Sequence, residues 1–224
     1  MPKSPPVIAI DGPSGSGKGT VAQILARELG WHFLDSGAIY RILAYAAQQR
    51  GIPLDAPTQL AELARNLPVT FSPIDAKIRL EEVDIKDEIR TEAAGNAASK
   101  VAAIPAVRVA LLERQRAFRA GPGLVADGRD MGTVVFPDAE VKVFLTASAE
   151  ERARRRYNQL IEKGLDANLA ALVADIAERD HRDATRSVAP LKPADGAEIV
   201  DTSDLDIAQT VACVRDLVRR RLDV

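Results

Sequence analysis

The sequence predicts an α/β protein whose core is a parallel sheet of five strands with helices on both faces. Short apolar runs alternate along the chain with longer segments of helical periodicity. Strands separated by helices run parallel, because the connecting helix returns the chain to the same end of the sheet. The predicted strands are residues 7–11, 31–34, 124–127, 141–146 and 197–201.

The helical segments repeat apolar residues at spacings of three and four. In the first of them, Val21, Leu25 and Leu29 share one face, and Gly30 ends the helix. These positions predict an amphipathic helix directly behind the first strand. The predicted helices are residues 18–29, 37–49, 58–66, 92–102, 105–120, 150–163, 168–182 and 207–222.

A different pattern occupies residues 68–90. Apolar and polar residues alternate there in three short runs, at 69–71, 77–81 and 83–86. Short alternating runs with tight connections are typical of antiparallel strands, which can keep one face in water. We therefore predict a small antiparallel sheet that is inserted into the parallel core.

Composition limits the kind of protein this is. The 224 residues fit one domain with insertions, and they include no apolar run of the roughly 18 residues that a membrane helix needs. With no secretory leader pattern, a cytoplasmic, soluble protein is expected. The net charge of −2 offers no general attraction for nucleic acid. The single cysteine, Cys213, lies on the last predicted helix and is expected to pack in the protein core.

A glycine-rich segment follows the first strand and precedes the first helix. Its glycines let main-chain N–H groups turn inward toward an anion, and the helix N-terminus adds partial positive charge. Lys18 can then reach the outer phosphates of a nucleotide. The sequence therefore predicts a P-loop that binds ATP. Its residues are Gly12, Pro13, Ser14, Gly15, Ser16, Gly17, Lys18, Gly19 and Thr20.

The residue after Lys18 departs from the common P-loop pattern. It is Gly19, where Ser or Thr usually binds magnesium, and Thr20 points about 100° further round the helix. We therefore expect Mg²⁺ to be held mainly by phosphates and water, near Thr20 and Asp127. The Gly-Lys-Gly-Thr ending is typical of nucleoside monophosphate kinases.

Arginines and carboxylates are concentrated where a second anion could bind. Arg41 follows the second strand, and residues 127–130, Asp-Gly-Arg-Asp, end the third strand at the edge where ligands of α/β sheets bind. Residues 179, 182, 183 and 186 share one helical face with three arginines and an aspartate. Each feature can also be a solvated, salt-bridged surface. Together they predict an arginine-rich lid that closes over phosphate.

These segments resemble the bacterial cytidylate kinase family along nearly the whole chain. The likeness rests on the glycine loop, on 34–41 (Leu-Asp-Ser-Gly-Ala-Ile-Tyr-Arg) and on 96–99 (Asn-Ala-Ala-Ser). It also rests on 127–137, which begins Asp-Gly-Arg-Asp-Met-Gly, and on 179–190, from Arg-Asp to Ala-Pro. Two departures are conservative: Ser16 where Ala is common, and Ala-Thr at 184–185 in a stretch that is often more polar.

The resemblance implies a kinase that transfers phosphate from ATP to CMP or dCMP with magnesium. It implies a single P-loop domain, with a core at about 1–66, 103–150 and 190–224, a monophosphate-binding insertion at 67–102 and a lid at 151–189. A monomer is expected. The residues expected to take part in catalysis are Lys18, Asp127, Arg129 and Arg179, and Arg155 is expected to join the ATP site.

Roles at the acceptor are also carried over from matching motif positions. Arg41 and Arg129 are expected to take the phosphate of CMP, and Asp183, with help from Arg179, the ribose. Arg186 is expected nearby. The residues expected on the cytosine side are Ser36, Ser99, Arg108 and Asp130. Without the resemblance the base stays open, although an acidic acceptor such as Asp130 favours an amino group over a carbonyl.

Two other functions fit a P-loop. One is a kinase for a small metabolite such as shikimate, which would not need the antiparallel insertion. The other is a switch or scaffold that binds ATP without transferring phosphate. An assay with a panel of acceptors separates the three.

Overall fold

The computed structural model describes residues 4–71 and 78–222. These residues form two compact units. The first unit runs to Asp35 and resumes at Arg116, and the second comprises Ser36–Gln115. The chain therefore leaves the first unit once and returns to it once.

The strands and helices follow closely the order that the sequence predicts. The strands are β1 (Val7–Asp11), β2 (His32–Asp35), β3 (Val69–Phe71), β4 (Ile78–Leu80), β5 (Val83–Asp84), β6 (Leu124–Gly128), β7 (Val141–Thr146) and β8 (Glu198–Asp201). The helices are α1 (Lys18–Leu29), α2 (Ser36–Gln49), α3 (Pro57–Arg65), α4 (Glu92–Ala102), α5 (Pro105–Arg116), α6 (Ala149–Glu162), α7 (Leu169–Thr185) and α8 (Ile207–Leu222). Within 4–71 and 78–222, no helix could span a bilayer, which takes about 20 apolar residues.

A five-stranded parallel sheet forms the centre of the first unit, which confirms the predicted fold class. The strand order is β2-β6-β1-β7-β8, and every neighbouring pair is parallel. All residues of β1 and β6 are buried, as is usual for central strands that are covered on both faces. The carboxyl ends of β2, β6 and β1 are aligned, because Asp35 is in register with Asp127, and Asp11 with Gly128.

The main core lies between this sheet and helices α1 and α8. Val21 and Leu25 of α1 and Val214 of α8 join the buried side chains of β1 and β7 in one apolar cluster. Gly30 ends α1 in the left-handed conformation, and its N–H donates to the carbonyls of Ala26 and Arg27. That cap is the one that the sequence predicts.

The prediction for Cys213 was wrong, because its side chain is exposed. The buried positions of α8 include Thr210, Val211, Val214 and Leu217. Residue 213 lies about 100° round the helix from residue 214, at the edge of the buried face. The preference of cysteine for burial was outweighed by the phase of α8, which its larger apolar side chains set.

Helices α6 and α7 pack against each other through a smaller apolar cluster that includes Ala153, Leu172 and Ile176. Asn168 caps α7 by accepting the N–H of Ala171 at 3.1 Å. The helix continues to Thr185, so residues 179, 182 and 183 keep the helical spacing that the sequence predicts. Residues 179 and 183 of this face belong to the site described below.

The second unit contains the predicted antiparallel sheet. It has three strands in the order β3-β4-β5, and β4 is antiparallel to both of its neighbours. The predicted run at 77–81 starts outside the described residues at Lys77, and β4 begins at Ile78. Helix α2 packs against α3 and α4, and Thr91 caps α4 by accepting the N–H of Ala94 at 3.1 Å.

Helix α5 ends earlier than predicted, at Arg116 instead of Ala120. The N–H of Arg119 donates to the carbonyl of Arg116 in a turn, and the Arg119 guanidinium donates to the carbonyl of Pro5 at 2.7 Å. These bonds take the chain away from the helical path. The prediction failed because helical periodicity does not show such distant partners.

Candidate active site

The glycine loop, residues 12–20, connects β1 to α1 and leaves the N-terminus of α1 open. Gly17 precedes the helix in the left-handed conformation, at φ 85°, and no side chain caps it. At Gly12 any side chain is excluded, because a Cβ would lie 2.0 Å from the carbonyl oxygen of Leu145. Uncapped N–H groups at a helix start can bind an anion. The loop thus has the main-chain form that a phosphate site needs.

Lys18 crosses this loop. Its Nζ donates to the carbonyl of Pro13 at 2.9 Å, and the side chain is buried. The pKa of Lys18 is lowered to about 7, mainly by burial and also by the charges of Arg129 and Arg179, while Asp127 and Asp35 oppose this shift. A buried amine among cations favours binding of an anion, which would offset that repulsion.

Gly19, which follows Lys18, lies against the carboxylate of Asp127. A Cβ on Gly19 would lie 3.0 Å from Oδ2 of Asp127, closer than most Cβ atoms come to an oxygen. Asp127 is itself buried. It is the second-last residue of β6, which is paired with β1. The side chain of Thr20 is exposed. The place that Ser or Thr takes in most P-loops is therefore next to a carboxylate here.

Asp11, which the sequence analysis did not single out, holds the turn that follows β6. Its two carboxylate oxygens accept the N–H groups of Met131 and Gly132, each at 2.8 Å. The pKa of Asp11 is raised to about 7, mainly by burial and also by the nearby carboxylates of Asp130 and Asp127, while these two hydrogen bonds oppose the rise. The sequence did offer a signal for Asp11: it is an acidic residue at the end of a buried strand, directly before Gly12.

Five side chains form what we call the arginine–carboxylate cluster: Arg129, Asp130, Arg179, Asp183 and Arg186. Nε of Arg129 donates to Asp183 at 3.0 Å, and Arg186 pairs with Asp130 at a longer 3.9 Å. Arg179 donates to Oγ of Ser14 in the glycine loop at 3.2 Å. The structure therefore brings this predicted cluster together with the loop.

Asp183 is stabilised as an anion by this cluster. Burial alone would raise the pKa of Asp183, but the charges of Arg129, Arg179 and Arg186 together lower it below the ordinary value. A carboxylate that is buried among arginines stays ionised at neutral pH. It can thus orient guanidinium groups and still accept a hydrogen bond from a ligand.

Arg155, predicted to bind ATP, is engaged with protein groups in this structure. It donates to Glu151 at 3.0 Å and to Oγ1 of Thr202 at 3.1 Å. It also donates to the main-chain carbonyls of Thr202 and Leu205. Arg155 thereby ties α6 to the segment after β8. That segment leads to Ile207, whose Cδ1 is 3.6 Å from the place of a Cβ on Gly17.

Four of the predicted acceptor residues belong to the second unit. Ser36 is buried and donates to Oε1 of Gln115 at 2.8 Å. Arg108 is buried, donates to the carbonyl of Ala102 at 3.2 Å, and lies 5.6 Å from the ring centre of Tyr40. Ser99 is buried, and Arg41 lies half-buried on α2. Gln115 was missed, because its partner Ser36 is 79 positions away.

The fold and the loop define a class of protein. A glycine loop between a strand and a helix, a lysine across it, and a carboxylate at the end of the neighbouring strand constitute a P-loop nucleotide-binding core. The family model for cytidylate kinase matches residues 8–220. The chain belongs to the cytidylate kinase family.

Similar proteins agree with this family. The chain is 58% identical to a cytidylate kinase from Aeromonas hydrophila over 225 residues, which cover 99% of this chain and 97% of that one. It is 60% identical to a cytidylate kinase from Nitrosococcus oceani, covering 93% of this chain and 94% of the other. A cytidylate kinase from Pseudomonas aeruginosa is 58% identical, covering 98% of each chain.

Proposed function

We propose that the protein transfers the γ-phosphoryl group of ATP to CMP or dCMP, giving ADP and CDP or dCDP. The observation that carries this proposal is the concentration of positive charge at the glycine loop. Lys18, Arg129 and Arg179 lie near enough for the two arginines to lower the pKa of the lysine. Phosphoryl transfer needs mainly positioning and charge stabilisation, and such a group of cations can supply both.

The donor nucleotide is proposed to bind at residues 12–20, with its phosphates on the main-chain N–H groups and on Lys18. The open N-terminus of α1 supports this role. Arg155 is proposed to act at the same site. In the described contacts it anchors the segment after β8, so its contribution is expected to come through that segment.

Magnesium is proposed to be held mainly by phosphates and water, near Asp127 and Thr20. Among the described residues no group of three or more His, Cys, Asp or Glu could hold a metal. The buried Asp127 carboxylate beside Gly19 fits an ion that is shared with a nucleotide. Bound magnesium would neutralise charge on the phosphates, and Asp127 would orient its waters.

At the acceptor, Arg41 and Arg129 are proposed to take the phosphate of CMP, and Asp183 with Arg179 the ribose. Arg186 is proposed to lie nearby. The cluster that Arg129, Asp183 and Arg179 form beside the glycine loop supports these roles. The residues proposed for the cytosine side, Ser36, Ser99, Arg108 and Asp130, are all buried.

The proposed division of the chain is a P-loop core, an insertion at 67–102 and a lid at 151–189. The antiparallel strands β3, β4 and β5 support the insertion. The packed pair α6 and α7 supports a lid that carries arginines. We also propose that the protein acts as a monomer in the cytoplasm.

The test is a coupled assay of ADP release with ATP, Mg²⁺ and a panel of acceptors: CMP, dCMP, UMP, AMP, GMP and shikimate. We expect the highest kcat/KM with CMP or dCMP. Transfer to shikimate, or tight ATP binding without turnover on any acceptor, would contradict the proposal. The Lys18→Ala variant, purified in the same way, controls for contaminating kinases.

A further inference from the structure

Arg152 on α6 is a buried arginine that no part of the proposed reaction uses. Its side chain is only 5% exposed. Nε donates to the carbonyl of Ala147 at 2.9 Å, and Nη1 donates to the carbonyl of Ser14 in the glycine loop at 3.1 Å. Nη1 and Nη2 donate to the two carboxylate oxygens of Asp180 on α7, at 3.1 and 2.5 Å. One guanidinium therefore joins α6, α7 and the loop.

Helix α6 contacts the loop closely at Ser14 and Gly15. A Cβ on Gly15 would lie 2.9 Å from Cβ of Arg152, so α6 packs directly against the loop at that point. The carbonyl of Ser14 accepts from Arg152, while the hydroxyl of Ser14 accepts from Arg179 at 3.2 Å. Ser14 is thus held by Arg152 of α6 through its main-chain carbonyl and by Arg179 of α7 through its hydroxyl.

Asp180 stands next to the residues that are proposed to act on substrate. Arg179 precedes it directly, and Asp183, which holds Arg129 at 3.0 Å, follows within one helical turn. A bidentate arginine–carboxylate pair fixes both distance and orientation. Whatever fixes Asp180 against Arg152 also fixes the distance of Arg179 from the loop.

We infer that Arg152 and Asp180 are a positioning pair, which sets α7 against the glycine loop so that Arg179 and Asp183 are in place when phosphate is transferred. This inference rests on the proposed kinase function. It implies an effect on turnover, since a change in the placement of Arg179 acts on charge that develops during transfer. A pair that served only stability would change the melting temperature and leave kcat unchanged.

The experiment compares Asp180→Asn with Glu178→Gln. Both changes remove one negative charge from α7 and keep the shape of the side chain. Glu178 is exposed and pairs with Arg182 one turn along the same helix, so it is the matched control. With saturating ATP and CMP, we expect Asp180→Asn to lower kcat by about 10- to 100-fold and Glu178→Gln to change it by less than twofold.

Arg152→Lys and the double variant complete a mutant cycle. Lysine keeps a positive charge but has no planar fork, so it cannot form the bidentate pair with Asp180. We expect the double variant to lose little more kcat than Asp180→Asn alone, which is the sign of a shared role. Thermal unfolding of all four proteins separates loss of turnover from loss of fold.

Two results are decisive against the inference. If the wild type phosphorylates CMP and Asp180→Asn keeps a kcat within twofold of the Glu178→Gln control, the pair has no positioning role. The same follows if the losses in kcat of the two single variants multiply in the double variant. A wild type that does not phosphorylate CMP would contradict the proposed function itself, and the inference with it.

Discussion

The glycine loop and the arginine–carboxylate cluster prepare the same protein for phosphate in two different ways. In the loop, contiguous residues present main-chain N–H groups, and Lys18 is the single cation. In the cluster, side chains from the end of β6 and from α7 are held by ion pairs such as Arg129 with Asp183. The loop depends on backbone conformation, and the cluster depends on the packing of distant elements.

This difference predicts how each region responds to substitution. Side chains of the loop other than Lys18 and Ser14, whose hydroxyl accepts from Arg179, should contribute little, because the main chain supplies the hydrogen bonds. Side chains of the cluster should contribute strongly and in a coupled way, because ion pairs link them across different segments. Four experiments test or refine this contrast, beginning with the largest expected effect.

Lys18→Ala should lower kcat by about a thousandfold or more, since it removes the only cation of the loop. The fold should survive, because burial of the lysine already disfavours its charged form. The coupled assay and thermal unfolding measure the two effects. Turnover near that of the wild type would contradict the placement of Lys18 in the site.

Asp130→Ala should weaken the preference for CMP over UMP by about 5- to 150-fold, since roughly 1–3 kcal/mol is at stake when a buried polar partner is lost. The ratio of kcat/KM for the two substrates is the measurement. Asp216→Ala, which removes an exposed carboxylate of α8, is the control. If the ratio is the same in Asp130→Ala and the wild type, Asp130 does not select the base.

Binding of MgATP should be accompanied by proton uptake at pH 8. The pKa of Lys18 is lowered to about 7 in the free protein, so the amine is mostly neutral at pH 8, and bound phosphate favours its charged form. Because binding takes up a proton, affinity should fall as pH rises above 7, by up to about tenfold per unit.

Calorimetry in two buffers that differ in ionisation enthalpy measures this uptake, which should approach one proton. At pH 6 the amine is already mostly protonated, and the dependence on buffer should disappear. Binding enthalpies that are equal in both buffers at pH 8 would show that the lysine does not change charge.

Ser16→Ala should have the smallest effect. The hydroxyl of Ser16 is buried, and among the residues that the structure describes it has no hydrogen-bond partner. Its removal should leave kcat within about twofold and raise stability by at most about 1 kcal/mol. Ser14→Ala, which removes the acceptor of Arg179, should lower kcat more. A loss above tenfold in Ser16→Ala would mean that this hydroxyl contacts the ligand.

Much of the fold follows from local pattern. The bounds of α1, α4 and α8 and those of β1 and β7 agree with the prediction, because apolar spacing and caps lie within each segment. The predictions for the end of α5 and for Cys213 were wrong: the first depends on partners outside the helix, and the second on the phase of α8. The site shows the same division. The loop was predicted from neighbouring residues, whereas ion pairs such as Arg129 with Asp183 join distant segments.

The residues that were missed share a physical reason. Asp11 accepts N–H groups about 120 positions away, and Arg152 finds Asp180 at a separation of 28. A carboxylate or arginine alone carries no sign of whether it is solvated or paired. Only the position of its partner distinguishes the two.

The sequence by itself determined that a strand, a glycine turn and a helix form a phosphate-binding loop, because backbone conformation there depends on adjacent residues. It also determined membership in the cytidylate kinase family, through motifs that keep their spacing. The tertiary structure decided which arginine meets which carboxylate, and how far each is buried. Those pairings depend on helix phase and packing, which bring together side chains that are distant along the chain.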